Sequence, residues 1–422
     1  DRGEPVEFVK PDWAYTFTEE DLKYRHHDNS CTSHADGGAT VEFDEHANRL
    51  PHFSNVDSGY WWVELGGDYN DIIEDAEDIR DELLKCVYGV WDHLKNGGDH
   101  GAENLDLDWV GIVPGYRESR RLEGDYILTE NDIRANRIFP DAVAYGGWAM
   151  DVHTPGGLHD LDRQPSNVLN FEGSYTIPYR CYYSRNVENL MMAGRDISAS
   201  KMAFSSARVM GTCAIGGQAV GTAAAMAIHY GCTPREMGKL HIKELQQTLL
   251  KDDCYIPGFV NEDKADIARC ATVNATSATE GCEPQNVCNG IAREQGEMKN
   301  CWQSGPLKEQ AQSVTLAFAH PGDIREIRLL FDPDLNRELM PSLTRIVRER
   351  QVKGMPPRLV KDFTVEYLLA GQVIHRETVA NNVQRLCIVK SQASVHCDSV
   401  RITVTATYGA PFARIFEVRA YT

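Results

Sequence analysis

Residues Asn189–His229 read NLMMAGRDISASKMAFSSARVMGTCAIGGQAVGTAAAMAIH, and the fold of the first half of the chain turns on that stretch. Leu190–Ala193 reads as a buried strand. A turn follows at Ala193-Gly194-Arg195-Asp196, then a loop rich in Ser and Ala, then a long helix of very small residues. Gly211, Ala214, Gly217, Gly221 and Ala224 recur three or four apart, so on a helix they make one bare ridge. Such a ridge admits another backbone or a flat ligand at short range. The pattern starts this helix after Ser205 and Ser206 and puts Arg208 in its first turn, where unpaired N–H groups suit a partly negative ligand.

Three readings compete for the helix. It is a tightly packed core element, a membrane span, or a cofactor-facing helix. Val209–Ile228 carries no charge and contains G-x-x-x-G at Gly217–Gly221, as some spans do. Against a span stand its Gly, Ala and Thr content, the internal Gln218 and the lack of a second such segment.

The segment resembles the C-terminal flavin-contacting motif of a family of FAD-dependent oxidoreductases. In that motif AGR-x-IS is followed by R-x-M-x-x-CA-x-x-GQA-x-G-x-AAA. The likeness extends to Tyr60-Trp61-Trp62-Val63-Glu64-Leu65-Gly66-Gly67, Gly115-Tyr116-Arg117-Glu118-Ser119-Arg120-Arg121 and Ala144-Tyr145-Gly146-Gly147-Trp148, and covers residues 1–257. It implies FAD as cofactor and a partial Rossmann-type α/β fold joined to a substrate region. Gly194, Arg195, Asp196, Ser206, Arg208, Gly217, Gln218 and Gly221 are the cofactor-contacting residues it implies. Members of such a family hold the dinucleotide pyrophosphate at a G-x-G-x-x-G turn, which this sequence lacks. The chain opens DRGEPVEFVKPDW, which reads as the interior of a longer polypeptide. The expectation is that an N-terminal FAD-binding segment or separate chain completes it.

Composition narrows the partners. At 422 residues, 42% hydrophobic and 25% charged, the chain has the make-up of a soluble globular protein of two or three domains. A net charge of −19 argues against nucleic-acid backbones and anionic membranes. A small-molecule substrate is expected, and a second copy of the chain stays open as a partner. Location stays open between secreted and cytoplasmic. The twelve cysteines form no C-x-x-C pair, so a structural zinc site of that type is not indicated. Cys270, Cys282, Cys288, Cys301, Cys387 and Cys397 permit disulfides without establishing them. Cys213 reads as a buried free thiol. Asn274-Ala275-Thr276 is a glycosylation sequon.

Residues 1–60 are polar and irregular. His26-His27-Asp28-Asn29-Ser30-Cys31-Thr32-Ser33-His34 has metal-ligand residue types, but a solvated loop explains them, and no metal is expected. Asp71–Asn96 is a helix by the recurrence of Ile72, Ala76, Ile79, Leu83, Val87, Val90 and Leu94, ended by Gly97-Gly98. Trp109–Pro114, Tyr126–Thr129, Asp141–Met150 and Tyr175–Tyr179 read as strands, Asp132–Asn136 as a helical turn and Pro234–Lys251 as a closing helix.

From residue 268 the pattern becomes alternating runs: Ser313–Phe318, Ile324–Phe331, Asp362–Leu369, Val373–Thr378, Arg385–Val389, Ser399–Thr407 and Phe412–Ala420. Ala370-Gly371-Gln372 is a hairpin signal. These runs predict an all-β jelly-roll-like sandwich over residues 268–422, after a linker at 258–267. It resembles galactose-binding-like, discoidin-like modules at Ala275–Thr279, Asn289–Arg293 and Asn300–Ser304. Such modules bind sugars or only pack against a catalytic neighbour.

Oxidation of an alcohol carbon needs a base for the hydroxyl proton while hydride leaves, and His suits that near neutral pH. His153, next to Thr154-Pro155-Gly156-Gly157 in an expected loop, is the first candidate and His52 the second. Arg117 and Arg120, with Arg121, read as cations that orient a substrate or FAD phosphates, or as a salt-bridge knot with Glu118, Glu123 and Asp125. Asp196 reads as a ligand to a ribityl or ribose hydroxyl, or as a turn cap. Tyr60, Trp61, Trp62, Tyr145, Trp148, Tyr179, Tyr182 and Tyr183 are candidate walls of a substrate pocket, or core.

The expected function is hydride transfer from a small organic substrate, a sugar or other polyhydroxyl among the candidates, to flavin N5. The alternative is a non-redox glycan-binding or structural protein on a degenerate flavoprotein scaffold. A glycoside hydrolase using Asp106, Asp108 or Glu64 has only residue types in its favour, because paired carboxylates abound in so acidic a chain.

Overall fold

The computed structural model describes residues 2–27, 61–98, 100–117, 119–308, 310–337, 351 and 353–422. His52, Tyr60, Glu118 and the stretch from Asp28 to His34 lie outside them. The chain forms two compact units: the described residues of Asp1–Arg137 and Tyr145–Gly217 make one, and Ile138–Ala144, Gln218–Leu339 and Gln351–Thr422 the other.

In the first unit a short helix, α1 (Glu19–Leu22), is closed by a capping box between Thr18 and Asp21. The scaffold helix α2 runs Ala76–Asn96, with turns rather than helix at 71–75 and Gly97 as its C-cap. Its Val90, Trp91 and Leu94 bury against Leu22, Ala102 and Leu158, which is what the apolar spacing required. A helical turn, α3 (Glu130–Arg134), follows where one was expected, with Thr129 and Asp132 as capping box.

The strand expected at Asp141–Met150 is two strands, β1 (Ala142–Gly146) and β2 (Met150–His153), separated at the Gly147-Trp148 break. β2 pairs antiparallel with β3 (Ser166–Leu169), so His153 ends a strand instead of lying in a loop. β4 is Tyr175–Pro178.

Four expectations fail here. Trp109–Pro114 forms no strand, and Trp109, Ile112 and Val113 are exposed, because an apolar run without a pairing neighbour has nowhere to place its N–H and C=O groups. Tyr126–Thr129 contributes only a bridge from Leu128 to Ala199, and Leu190–Ala193 only a bridge at Met191. The long helix does not begin at Ser206. Lys201–Ala207 is its own helix, α4, capped by Ser200, and α5 begins at Met210 and runs to Tyr230. Ser206 therefore sits in the last turn of α4 and Arg208 is its C-cap residue, so neither lies at a helix N-terminus.

On α5 the small residues line two faces. Thr212, Gly216, Ala219, Ala223 and Ala227 are buried, whereas Gly211, Ala214, Gln218, Gly221 and Ala225 are exposed. Close approach occurs at Gly216, where a Cβ would stand 2.7 Å from the Tyr182 ring, and not at Gly217. Among the described residues α5 is the one helix long and apolar enough to cross a membrane by length and composition.

In the second unit the closing helix is two helices, α6 (Pro234–Leu240) and α7 (Ile242–Lys251), with Thr233 and Glu236 as capping box of α6. Seven antiparallel strands follow: β5 (Thr272–Ala275), β6 (Trp302–Pro306), β7 (Gln312–Phe331), β8 (Val360–Leu369), β9 (Gln372–Val379), β10 (Leu386–Thr407) and β11 (Phe412–Tyr421). Their order is β6-β11-β7-β10-β8-β9, with β5 on β7.

β7 and β10 each absorb two expected strands. The first part of β7 pairs with the last part of β10, and the last part of β7 with the first part of β10, across register shifts near Gly322 and Cys397. Each long strand thus serves both layers of a β-sandwich. Val314, Leu316, Ile327, Phe363, Val365, Val400, Ile402, Ile415 and Trp302 fill the core between them. The hairpin expected at Ala370-Gly371-Gln372 is present, with positive φ at Ala370 and Gly371, 52° and 78°, between the paired Leu369 and Gln372.

No disulfide joins the described cysteines; the Sγ atoms of Cys282 and Cys301 lie 3.7 Å apart in the interior.

Candidate active site

Alternation along β2 places Asp151 and His153 on one face of the strand. Glu64 reaches the same point from the segment 61–66. Its backbone is held there because Leu158 N–H donates to Glu64 O at 3.1 Å, next to Gly157, where a Cβ would stand 1.9 Å from that oxygen. His153 Nδ1 lies 2.8 Å from Glu64 Oε1, and Nε2 lies 3.2 Å from Asp151 Oδ2. Arg117 Nη1 lies 2.8 Å from each ring nitrogen and 3.6 Å from Glu64 Oε2. Arg208, from the end of α4, donates to the Asp151 carbonyl and to Oδ2 at 3.2 Å. The Ser166 hydroxyl donates to Asp151 Oδ1 from the facing strand.

Burial of His153 disfavours its charge, but hydrogen bonds to Asp151 and Glu64 outweigh that and hold its pKa above the ordinary histidine range. Asp151 shows the complementary balance. Burial would raise it, yet the bonds from His153 and Ser166 and the Arg208 charge bring it down to about 2. Glu64 is also lowered: burial opposes its charge, and His153, Trp62 and Arg117 support it. With His153 protonated, three cations (Arg117, Arg208, His153) face two carboxylates (Glu64, Asp151). The cluster is then net positive by one and suited to oxygen that gains negative charge.

Two cavities share this wall. One, of about 520 Å³, is lined by Trp61, Trp62 and Trp148 together with Glu64, Arg117, Asp151 and His153. The other, of about 570 Å³, shares Glu64, Arg117, Asp151 and His153 and adds Arg121, Ser205 and Arg208. Both volumes suit a small organic ligand. Trp62 lies 5.4 Å from the His153 ring.

Of the expected residues, the structure brings His153, Arg117 and Arg208 together. Arg120 instead pairs with Asp71 at 2.7 Å on the surface and does not reach the cluster. The described part of the salt-bridge knot is absent: Glu123 pairs with Arg185, and Asp125 accepts from the Tyr183 hydroxyl. Tyr179, Tyr182 and Tyr183 are buried, while Trp61, Trp62 and Trp148 line the first cavity. Asp151 was not singled out from sequence, and Glu64 only as a hydrolase carboxylate. The period-two spacing to His153 was the one local signal for Asp151.

The cofactor expectation has its own observations. Asp196 Oδ1 and Ser198 Oγ are buried with no hydrogen-bond partner among the described residues. Gly194 takes φ +98°, and Arg195 is exposed. Gly217 and Gly221 have no described heavy atom within 4 Å of where a Cβ would stand. Ser206 is fully buried, its hydroxyl shared between the Trp148 carbonyl and the Tyr175 hydroxyl. An orphaned carboxylate oxygen beside a glycine turn has the chemistry to take a hydroxyl of a ligand.

The FAD dependent oxidoreductase family model covers residues 4–249. The chain belongs to that family. No curated protein matches it. Among solved structures it is similar to the family 32 carbohydrate-binding module of C. perfringens NanJ in complex with galactose: 15% identity, 37% of this chain and 98% of that one, TM-score 0.27. It is also similar to the lectin domain of Lectinolysin complexed with Lewis B antigen (14%, 37% and 96%, TM-score 0.29). A third is the family 32 carbohydrate-binding module of Streptococcus pneumoniae EndoD (18%, 37% and 98%, TM-score 0.29).

Proposed function

We propose that this FAD-dependent oxidoreductase removes a hydride from a small polyhydroxyl substrate held in the tryptophan-lined cavity. The observation that carries the reading is His153, pinned between Glu64 and Asp151 on a wall common to both cavities, inside the family region. When bound, FAD supplies a hydride acceptor at N5. Asp196 would hold a hydroxyl of its ribityl chain through the buried Oδ1, beside Gly194 and Arg195; Ser206, buried with its hydroxyl on Trp148 and Tyr175, would support that wall from behind. The α5 face with Gly217, Gln218 and Gly221 is where close approach is possible. The sequence has no G-x-G-x-x-G turn, and a separate FAD-binding segment or chain would hold the pyrophosphate.

His153 keeps its Nδ1 proton on Glu64, which fixes the tautomer, as a carboxylate does for a catalytic imidazole. The Nε2 proton, shared with Asp151 over the longer 3.2 Å contact, is the one that leaves, and Nε2 then accepts the substrate hydroxyl proton. Arg117 and Arg208 stabilise the negative charge that develops on that oxygen. Trp61, Trp62 and Trp148 offer faces for the C–H side of a sugar ring.

The test is anaerobic mixing of the flavin-loaded enzyme with a panel of sugars and polyols. A reactive substrate should bleach the flavin band. In His153→Ala the flavin should remain bound while bleaching slows by ~10²–10⁴-fold. Equal rates in the two proteins would remove His153 as the base.

A further inference from the structure

Away from the His153 site, four side chains remote in sequence bring their ligand atoms together. Glu19 opens α1, His27 follows that helix, His93 lies in the last turn of α2, and His100 sits in the glycine-rich turn beyond it. One carboxylate oxygen and three imidazole nitrogens lie within 4.8 Å of one another. His27 Nε2 is 3.0 Å from Glu19 Oε1, and His93 Nε2 is 3.1 Å from Glu19 Oε2. His100 Nε2 is 3.5 Å from that second oxygen and 3.1 Å from His93 Nε2. The three imidazoles are only 4%, 8% and 9% exposed, whereas the Glu19 side chain faces solvent.

Protons serve this arrangement poorly. His93 Nε2 carries at most one proton, and it faces both a carboxylate oxygen and a second Nε2. A cation at the centre satisfies all four atoms at once. Ligands ~2.0–2.1 Å from a tetrahedral zinc stand about 3.3 Å from one another, close to the 3.0–3.5 Å of the four contacts above. Three neutral imidazoles and one carboxylate suit zinc in ligand type, and the carbonyl-rich end of α2 favours a cation there.

We propose that Glu19, His27, His93 and His100 bind one zinc ion, a site closed by four protein ligands that staples residues 19–27 to the end of α2. The staple continues into the neighbourhood of the active site. The Arg25 guanidinium donates to the carbonyls of Gly157, Asp160 and Arg163, and the His26 ring stacks on Trp62 at 5.5 Å. Reading the sequence near His27 as a solvated loop missed the site because two of its ligands lie more than sixty residues away.

The test uses the full chain without a histidine tag. Metal analysis should find about one zinc per chain, chelation should remove it and lower the melting temperature, and zinc chloride should restore both. Cobalt added to the chelated protein should give the intense visible spectrum of tetrahedral coordination. Glu19→Gln changes a solvent-facing side chain, so the protein should fold and bind zinc at least ~10-fold more weakly. His93→Ala combined with His100→Ala should abolish uptake. The proposal is overturned if chelated wild type takes up no zinc, if Glu19→Gln binds it as tightly as wild type, or if cobalt gives a weak octahedral spectrum.

Discussion

His153 owes its proton affinity to two carboxylates that come from different parts of the chain. That sets a pH dependence with a definite sign. A base must be neutral to act, so the rate rises as pH climbs through the His153 pKa, which lies above the ordinary range. Asp151→Asn removes one of the groups that raise it. The acidic limb of the rate profile for flavin reduction should therefore move to lower pH, even as the maximal rate falls. An unmoved limb would show that the limb belongs to another group. His153 was legible in the sequence as a candidate, from its residue type and its place after a Gly-Gly break. Glu64, 89 positions away, was not, because its role exists only once Gly157 lets the two backbones meet. Arg120 was misjudged for the matching reason: a cluster of arginines fixes charge but not direction, and Arg120 turns to Asp71.

Among the elements, legibility follows how local the determining physics is. The hairpin was readable because Gly371 supplies a left-handed backbone at low cost, whereas Ala370 takes its positive φ against its own preference. Gly371→Ala should cost about 1–2 kcal/mol through its left-handed backbone alone, since nothing stands within 4 Å to clash. A lower denaturation midpoint for the sandwich would show this; an unchanged midpoint would contradict it. The period of α2 was equally local. By contrast, Trp109–Pro114 met the apolar criterion for a strand but not the pairing criterion, which sequence does not display. β7 runs unbroken through His320-Pro321-Gly322, between the two strands expected, and the pairing with β10 shifts register there. The split between α4 and α5 moved Ser206 and Arg208 from a supposed helix start to a helix end. Arg208 therefore reaches the His153 cluster through its bonds to Asp151, and not from the start of a helix.

For the whole molecule, the family assignment rests on residues 4–249, and the proposed cofactor contact rests on the two α5 faces. One face is packed through Gly216 against Tyr182; the other leaves Gly217 and Gly221 open. A side chain added on the open face should disturb no packing within the described residues, yet it should exclude a cofactor that needs close approach. The most direct measurement is the absorption near ~450 nm of the purified enzyme, together with whatever N-terminal segment accompanies it, compared between wild type and Gly221→Leu. The expected result is a flavin band in wild type that is lost in Gly221→Leu, with the circular dichroism of the two proteins the same. A full flavin band in Gly221→Leu, or no band in wild type carrying that segment, would contradict the account.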